Sequence, residues 1–248
     1  MFYKILVWVF ISALAFASEG GLLHDATAER VSHGSDATLD NMDPLTHAGW
    51  YYIDTVADSA RYFQKGTYVM TQTSTNGRIG VVRVRQTTNM TYVTADATTS
   101  SGEWFFVSHN IDTGGSAGDL CNIFVGDSDT NATEASYASE QDGSGTFVGD
   151  QAGNMTLGNT HSNPYDTPFL GKIAYAVWVE TKFGQSDIRT IQWSFCNALA
   201  NERLVVYPGF PGSGTQQDLS GNDNDGTITN STALTNDGPP IMIGQGAS

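Results

Sequence analysis

Short runs of alternating apolar and polar residues fill most of this chain, separated by clusters of Gly, Asn, Asp and Ser. Such runs read as half-buried strands, because successive side chains of a strand point to opposite faces. Seven segments carry the pattern: "GWYYIDT" (49–55), "GTYVMTQT" (66–73), "RIGVVRVRQ" (78–86), "MTYVTAD" (90–96), "EWFFVSHNI" (103–111), "LCNIFVGD" (120–127) and "GKIAYAVWVET" (171–181). Asn76-Gly77 stands between the second and third, and Asn-Gly between two such runs predicts a hairpin. Helical spacing is confined to "SDIRTIQWSFCNALANERL", with Ser186 as expected N-cap and Ile188, Ile191, Phe195, Ala198 and Leu199 on one face. This predicts one short helix near 187–200. Many short strands joined by turn residues point to an all-β sandwich or barrel. With no internal repeat and no heptad, one domain is expected over 18–240. The tail 241–248 is either a last strand or a frayed end.

The first residues, "MFYKILVWVFISALAFASEG", break the strand pattern. Lys4 precedes an apolar run over 5–17, which is shorter than the roughly 20 residues a membrane span needs. Ala15-Phe16-Ala17 supplies the small-x-small pattern of a cleavage site. The expectation is a signal peptide over 1–17, cleaved after Ala17, and a secreted mature chain; the alternative is a retained anchor. Export gives meaning to the Asn-x-Thr sequons at Asn89, Asn131, Asn154 and Asn230. It also permits a disulfide between the two cysteines, Cys121 and Cys196. Two buried free thiols are the other reading, since each cysteine has apolar neighbours.

Charge narrows the partners. The formal net charge is −15, with 26 acidic against 11 basic side chains. A field of that sign repels phosphate backbones, which excludes nucleic acid as a natural partner.

Several pieces, in order, resemble the laminin-G-like branch of the concanavalin A-like lectin/glucanase superfamily. "AERVSHGSDATLDNMDPLTHAGWYYID" (28–54) is similar to that family's opening strand, turn and Trp-bearing strand. "GEWFFVSHNIDT" (102–113) and "LCNIFVGD" resemble its mid-domain strands. "LGNTHSNPYDTPFLGKIAYAVWVETKFGQSDI" (157–188) resembles its Phe-x-Gly-x-Ile passage into a strand and a helix start. "DLSGNDNDGTI" (218–228) resembles the turn into its closing strand. The resemblance implies a two-sheet antiparallel jelly-roll β-sandwich with a curved ligand face. It also implies a carbohydrate-binding or adhesive role, and calcium in rim loops, for which Asp112, Asp119 and Asp127 are candidate ligands.

Other chemistry is thin. An EF-hand reading of 218–230 fails, because placing Gly226 at position 6 puts Gly221 at position 1 and Thr232 at position 12. Asn, Asp and Gly together more commonly make a turn. The superfamily's glucanases carry Glu-x-Asp-x-Glu on one strand, which this chain lacks, so it is expected not to be an enzyme. Arg83 and Arg85 share a sheet face by the period of two and are candidates to grip carboxylated or sulfated sugars; the plainer reading is a solvated face. Tyr165, with Asn163 and Asp166, is a candidate sugar platform in the loop before the 171–181 run. Among Trp50, Tyr51, Tyr52, Trp104, Trp178 and Trp193, most are expected in the core and one or two exposed. The expectation is therefore a secreted, non-catalytic module that binds glycans or glycoproteins. The second reading is a structural or protein-binding component of a surface, matrix or fibre, and the third a glycoside hydrolase with a site of its own.

Overall fold

The computed structural model describes residues 22–24, 29–66, 69–159, 168–194, 202–212, 214–229 and 238–239, with the backbone alone at 22–24, 69–72 and 207–212. The strands are β1 (Leu22–His24), β2 (Arg30–Gly34), β3 (Leu45–Ile53), β4 (Arg61–Lys65), β5 (Val69–Thr73), β6 (Ile79–Arg83), β7 (Met90–Thr94) and β8 (Trp104–Ile111). They continue as β9 (Cys121–Asp127), β10 (Thr133–Glu134), β11 (Tyr137–Gln141), β12 (Met155–Leu157), β13 (Gly171–Val179), β14 (Glu202–Gly212), β15 (Thr215–Asp218) and β16 (Gly226–Thr229). One α-helix, α1 (Gln185–Trp193), follows β13.

All pairings are antiparallel, and the strands form two layers of a jelly-roll sandwich. The front layer runs β10-β9-β8-β3-β13-β14, and β1 shares the β14 edge of β13. The back layer runs β16-β2-β12-β4-β5-β6-β7-β11, and β15 bridges β14 to β16. The expected Asn76-Gly77 hairpin joins β5 to β6, with Gly77 N–H on the Ser74 carbonyl at 2.9 Å and Gly77 at φ +69°. Gly is required there, since a Cβ would stand 2.1 Å from the Thr99 carbonyl oxygen.

Two apolar clusters follow from the alternation. Inward residues such as Val31, Tyr51, Phe63, Val81, Val107, Ile123 and Trp178 fill the space between the layers. Outward residues of the front layer, including Ala48, Trp50, Phe106, Val177 and Val205, pack with Ile188 and Ile191 of α1. The helix begins two residues before the expected cap: Gly184 is the N-cap, and the Asp187 carboxylate accepts its N–H at 3.1 Å. It closes on Ser194, and residues 195–200 of the expected helix lie outside the described residues.

The run at 218–228 that resembles a closing turn is one. The Asp218 carboxylate accepts from the backbone N–H of Val205, Ser220 and Asn224 and from the Ser220 hydroxyl, at 2.7–3.0 Å. Asn222 and Asn224 donate side-chain N–H groups to the Glu202 and Arg203 carbonyls, tying the turn to β14.

Between the layers lies a fully buried polar relay. His47 and His109 face one another in register across β3 and β8, their Nδ1 atoms 3.4 Å apart. Tyr51 Oη is 2.7 Å from His47 Nε2, and Tyr62 Oη is 3.0 Å from His109 Nε2. Two neutral rings satisfy all these contacts with one proton each, provided the four groups donate in a single direction along the chain. Charging both rings would set the two Nδ1–H donors face to face. Burial, and for His47 also the neighbouring His109, holds both rings neutral, with His47 well below the usual value and His109 down to about 3.

A histidine whose pKa is lower folded than unfolded binds a proton on unfolding once pH drops below its unfolded value near 6.5. Its stabilising effect is thus complete above that value and is lost as pH falls toward the folded pKa. Each of the two rings should cost about 2 kcal/mol of stability between pH 8 and pH 5, and the buried His33, also lowered by burial, acts in the same direction. Denaturant unfolding across this window, above the usual carboxylate range, should show that loss. A flat profile would mean that the rings are charged or wet.

Candidate functional site

The chain passes from one layer to the other within two residues. Ala135 N–H still bonds to Ile123 of β9, whereas Ser136 already accepts from Ala95 beyond β7. β10 is the edge of the front layer and β11 the edge of the back layer, so this crossing forms a seam along one side of the sandwich. At the upper end of the seam, neither layer covers the other, and a cleft of about 490 Å³ opens there.

One wall is the connection from β7 to β8. Ala97 and Thr99 N–H groups bond to the Asn76 and Gly77 carbonyls, fixing the connection against the β5–β6 hairpin. Asp96 pairs with Arg78 at 2.6 Å, and Ser100 Oγ donates to Glu103 Oε2 at 2.8 Å. The opposite wall is the connection from β9 to β10. There Asp127 Oδ1 accepts from the N–H groups of Asp129 and Thr130 at 2.8 and 2.7 Å. Gln192 of α1, fully buried, clips this wall in place. Its Oε1 accepts from Ala132 N–H at 2.6 Å, and its Nε2 donates to the Asp127 and Thr130 carbonyls at 3.1 and 2.8 Å. Gly126 permits the approach, since a Cβ would lie 2.7 Å from Gln192 Nε2.

Trp104, the first residue of β8, lines the cleft between these walls and is half-buried. Its ring meets Tyr52 edge-on at 5.5 Å, and Lys172 Nζ lies 4.3 Å from the Tyr52 centroid. Two of the carboxylates around it, Asp96 and Asp127, are shifted toward the ionised form. The Arg78 hydrogen bond lowers the pKa of Asp96. Burial pushes Asp127 up, but the hydrogen bonds from Asp129 and Thr130 outweigh it, and the net shift is downward.

The residues singled out from the sequence are scattered. Arg83 and Arg85 do share a face, and both guanidiniums stack on Phe147, at 4.6 and 4.8 Å. Arg83 is buried and donates to the Met42 carbonyl, and Arg85 donates to the Gly145 and Asp142 carbonyls. The pair holds two loops down. Asp112 and Asp119 flank the β8–β9 connection, where Asp112 accepts from Gly114 N–H and Asp119 from Asn122 Nδ2, with Lys182 at 3.5 Å. Asp127 stands at the far end of β9, about 20 Å away at the rise of a strand, so the three do not converge on one cation. No group of three or more His, Cys, Asp or Glu suited to a metal ion occurs among the described residues. Cys121 is a buried free thiol, its pKa raised by burial. Cys196, and the loop bearing Asn163, Tyr165 and Asp166, lie outside the described residues. Trp50, Tyr51 and Trp178 are core, and Tyr52, Trp104 and Trp193 are half-buried. Asp96 was not a sequence candidate, although it begins the polar run that leads to Glu103-Trp104.

No protein-family model matches the chain, and no curated protein sequence does. Its fold is similar to that of a protein from Bacteroides ovatus ATCC 8483 described as a candidate carbohydrate binding protein, with TM-score 0.64 and 13% identity. That match covers 91% of this chain, which spans 62% of the other's length. More distant matches are the heptameric SAP-like pentraxin of Limulus polyphemus (TM-score 0.44, 10% identity, 72% of this chain and 83% of that one) and the CBM40 of the Ruminococcus gnavus IT-sialidase (0.36, 13%, 73% and 86%). At these identities the likeness is one of fold alone. Among the described residues no helix is long and apolar enough to cross a membrane.

Gln192→Leu keeps the volume but strands the buried Ala132 N–H and removes a donor from two carbonyls. It should cost about 2–4 kcal/mol and raise amide exchange at Ala132 more than at the centre of β3. Equal protection in variant and wild type would show that the clip does not hold the wall.

Proposed function

We propose that this chain is a secreted, non-catalytic carbohydrate-binding module of the laminin-G-like, concanavalin A-like kind. It holds a saccharide in the seam cleft against Trp104. The observation that carries the reading is a half-buried tryptophan lining a concave site whose polar side chains are carboxylates and hydroxyls, with Ala95, Ala97, Phe105, Val125 and Ala135 among its apolar lining. Sugars offer such a site an apolar face of C–H groups and a rim of hydroxyl donors, which match an aromatic ring and anionic acceptors. The fold shared with the Bacteroides ovatus protein adds support by analogy.

Binding rather than hydrolysis fits the state of the acids. A retaining or inverting glycosidase needs one carboxyl kept protonated near neutrality beside an ionised one. Asp96 and Asp127 are shifted the other way, and Glu180 pairs with Arg203. The structural reading has less to rest on, because Leu219 is the exposed large hydrophobic among the described residues, and a flat apolar docking face is not seen among them.

A glycan array probed with residues 18–248, once in calcium and once in chelator, tests the reading. Trp104→Ala should lower the affinity for any hit by about tenfold or more and, since the ring also packs on Tyr52, lower the unfolding midpoint while the variant still folds cooperatively. Mass spectrometry of the ligand after incubation should show it intact. A blank array with folded protein would move the function to protein binding.

A further inference from the structure

We infer that the seam cleft selects its ligand by charge, taking neutral or amine-bearing saccharides and rejecting uronates, sialic acids and sulfated sugars. The inference rests on the carbohydrate reading above and deepens it. Three carboxylates, Asp96, Glu103 and Asp127, line the cleft, and no Lys, Arg or His is among its described lining residues. The cations nearby are committed elsewhere. Arg78 is spent on Asp96, Lys172 lies on the Tyr52 ring, and Arg189 donates to the Ala132 carbonyl at 3.2 Å. Arg83 and Arg85, the residues best suited to an anionic sugar, are bound to their own loops.

The three acids differ in what they leave for a ligand. Asp96 faces Arg78 through Oδ1, and Asp127 Oδ1 caps its own turn. Glu103 is exposed and takes Ser100 on one oxygen, so its other oxygen is open to a sugar hydroxyl or ammonium among the described residues. An anionic ligand therefore gains no countercharge on entry and meets a field of its own sign, deepened by the net charge of −15. A ligand cation meets the opposite.

The probes are matched tetrasaccharides of hexose, 2-amino-2-deoxyhexose and hexuronate in several linkages, titrated at low and high salt. The hexose should bind, and the amino sugar should bind several-fold tighter at about 20 mM salt, an advantage lost at about 500 mM, where screening shortens to a few Å. The hexuronate should bind about tenfold or more weakly than the hexose. Glu103→Gln, at an exposed position, should narrow that gap, and Trp104→Ala should weaken all three series together. Uronate binding equal to hexose binding and lost in Trp104→Ala would overturn the charge selection while the carbohydrate reading stands. Uronate binding that appears only with calcium would do the same and assign the selectivity to a bridging metal. No binding by any probe, or binding indifferent to Trp104→Ala, would overturn the carbohydrate reading at this cleft and the inference with it.

Discussion

Strand β3 is buried on both faces, and the architecture follows from that. Its inward residues, Leu45, His47, Tyr51 and Ile53, need a second layer over them, and its outward residues, Ala48 and Trp50, need a cover on the other side. A strand of an antiparallel sheet commonly leaves one face to water. Here β8 and β13 pair along almost its whole length, and the outer face is roofed by α1. Trp50 makes the roof specific: its Nε1–H donates to the carbonyl of Gln192 at 2.9 Å, so the largest outward side chain fixes where the helix sits. The same Gln192 then clips the β9–β10 connection through its side chain. One residue passes positional information from the centre of the sheet to the wall of the cleft.

The seam is the second consequence. A sandwich must dispose of its sheet edges, and this one does so by running β10 directly into β11, so that two edges are joined by a crossing too short to cover both. Space remains where the β7–β8 and β9–β10 connections diverge, and polar loops fill its walls because their backbone groups need partners. The cleft is thus a by-product of edge closure. Its position is set by pairing, and its chemistry by what those loops carry.

Much of this was readable in the chain and some was not. Strong alternation marked β3, β6, β7, β8, β9 and β13 to within a few residues, because each has a face in the core. The hairpin at Asn76-Gly77 and the turn at 218–228 were legible from residues that tolerate positive φ. The short strands β4, β12, β15 and β16 were not found from periodicity, since three to five residues are too few to show a period. The end of the helix was misplaced for a local reason: Gly184 offers no side-chain cap, whereas Ser186 looked like one. The cleft was the least legible feature. Trp104 and Asp127 each stand out in the sequence for separate reasons, but only the seam brings them together with Glu103 and Asp96, and no local pattern encodes a pairing between edges.

The way this chain spends its few basic residues explains why its open site is negative. With 11 Lys and Arg against 26 acids, every cation used as an internal staple leaves the exposed surface more anionic. Lys65 is buried against Asp40 at 2.8 Å, Arg83 and Arg85 stack on Phe147, and Arg203 pairs with Glu180. The groups these staples hold include backbone carbonyls and carboxylates, which need donors, and Lys and Arg supply donors without acceptors. The acids at turns work differently. Asp112, Asp127 and Asp218 each accept backbone N–H groups. Where such a turn borders a concavity, as Asp127 does, its remaining negative potential projects into that space. A fold that closes its loops with aspartate and its interior with arginine thereby leaves a cleft lined by carboxylates, with no basic side chain among its described lining residues.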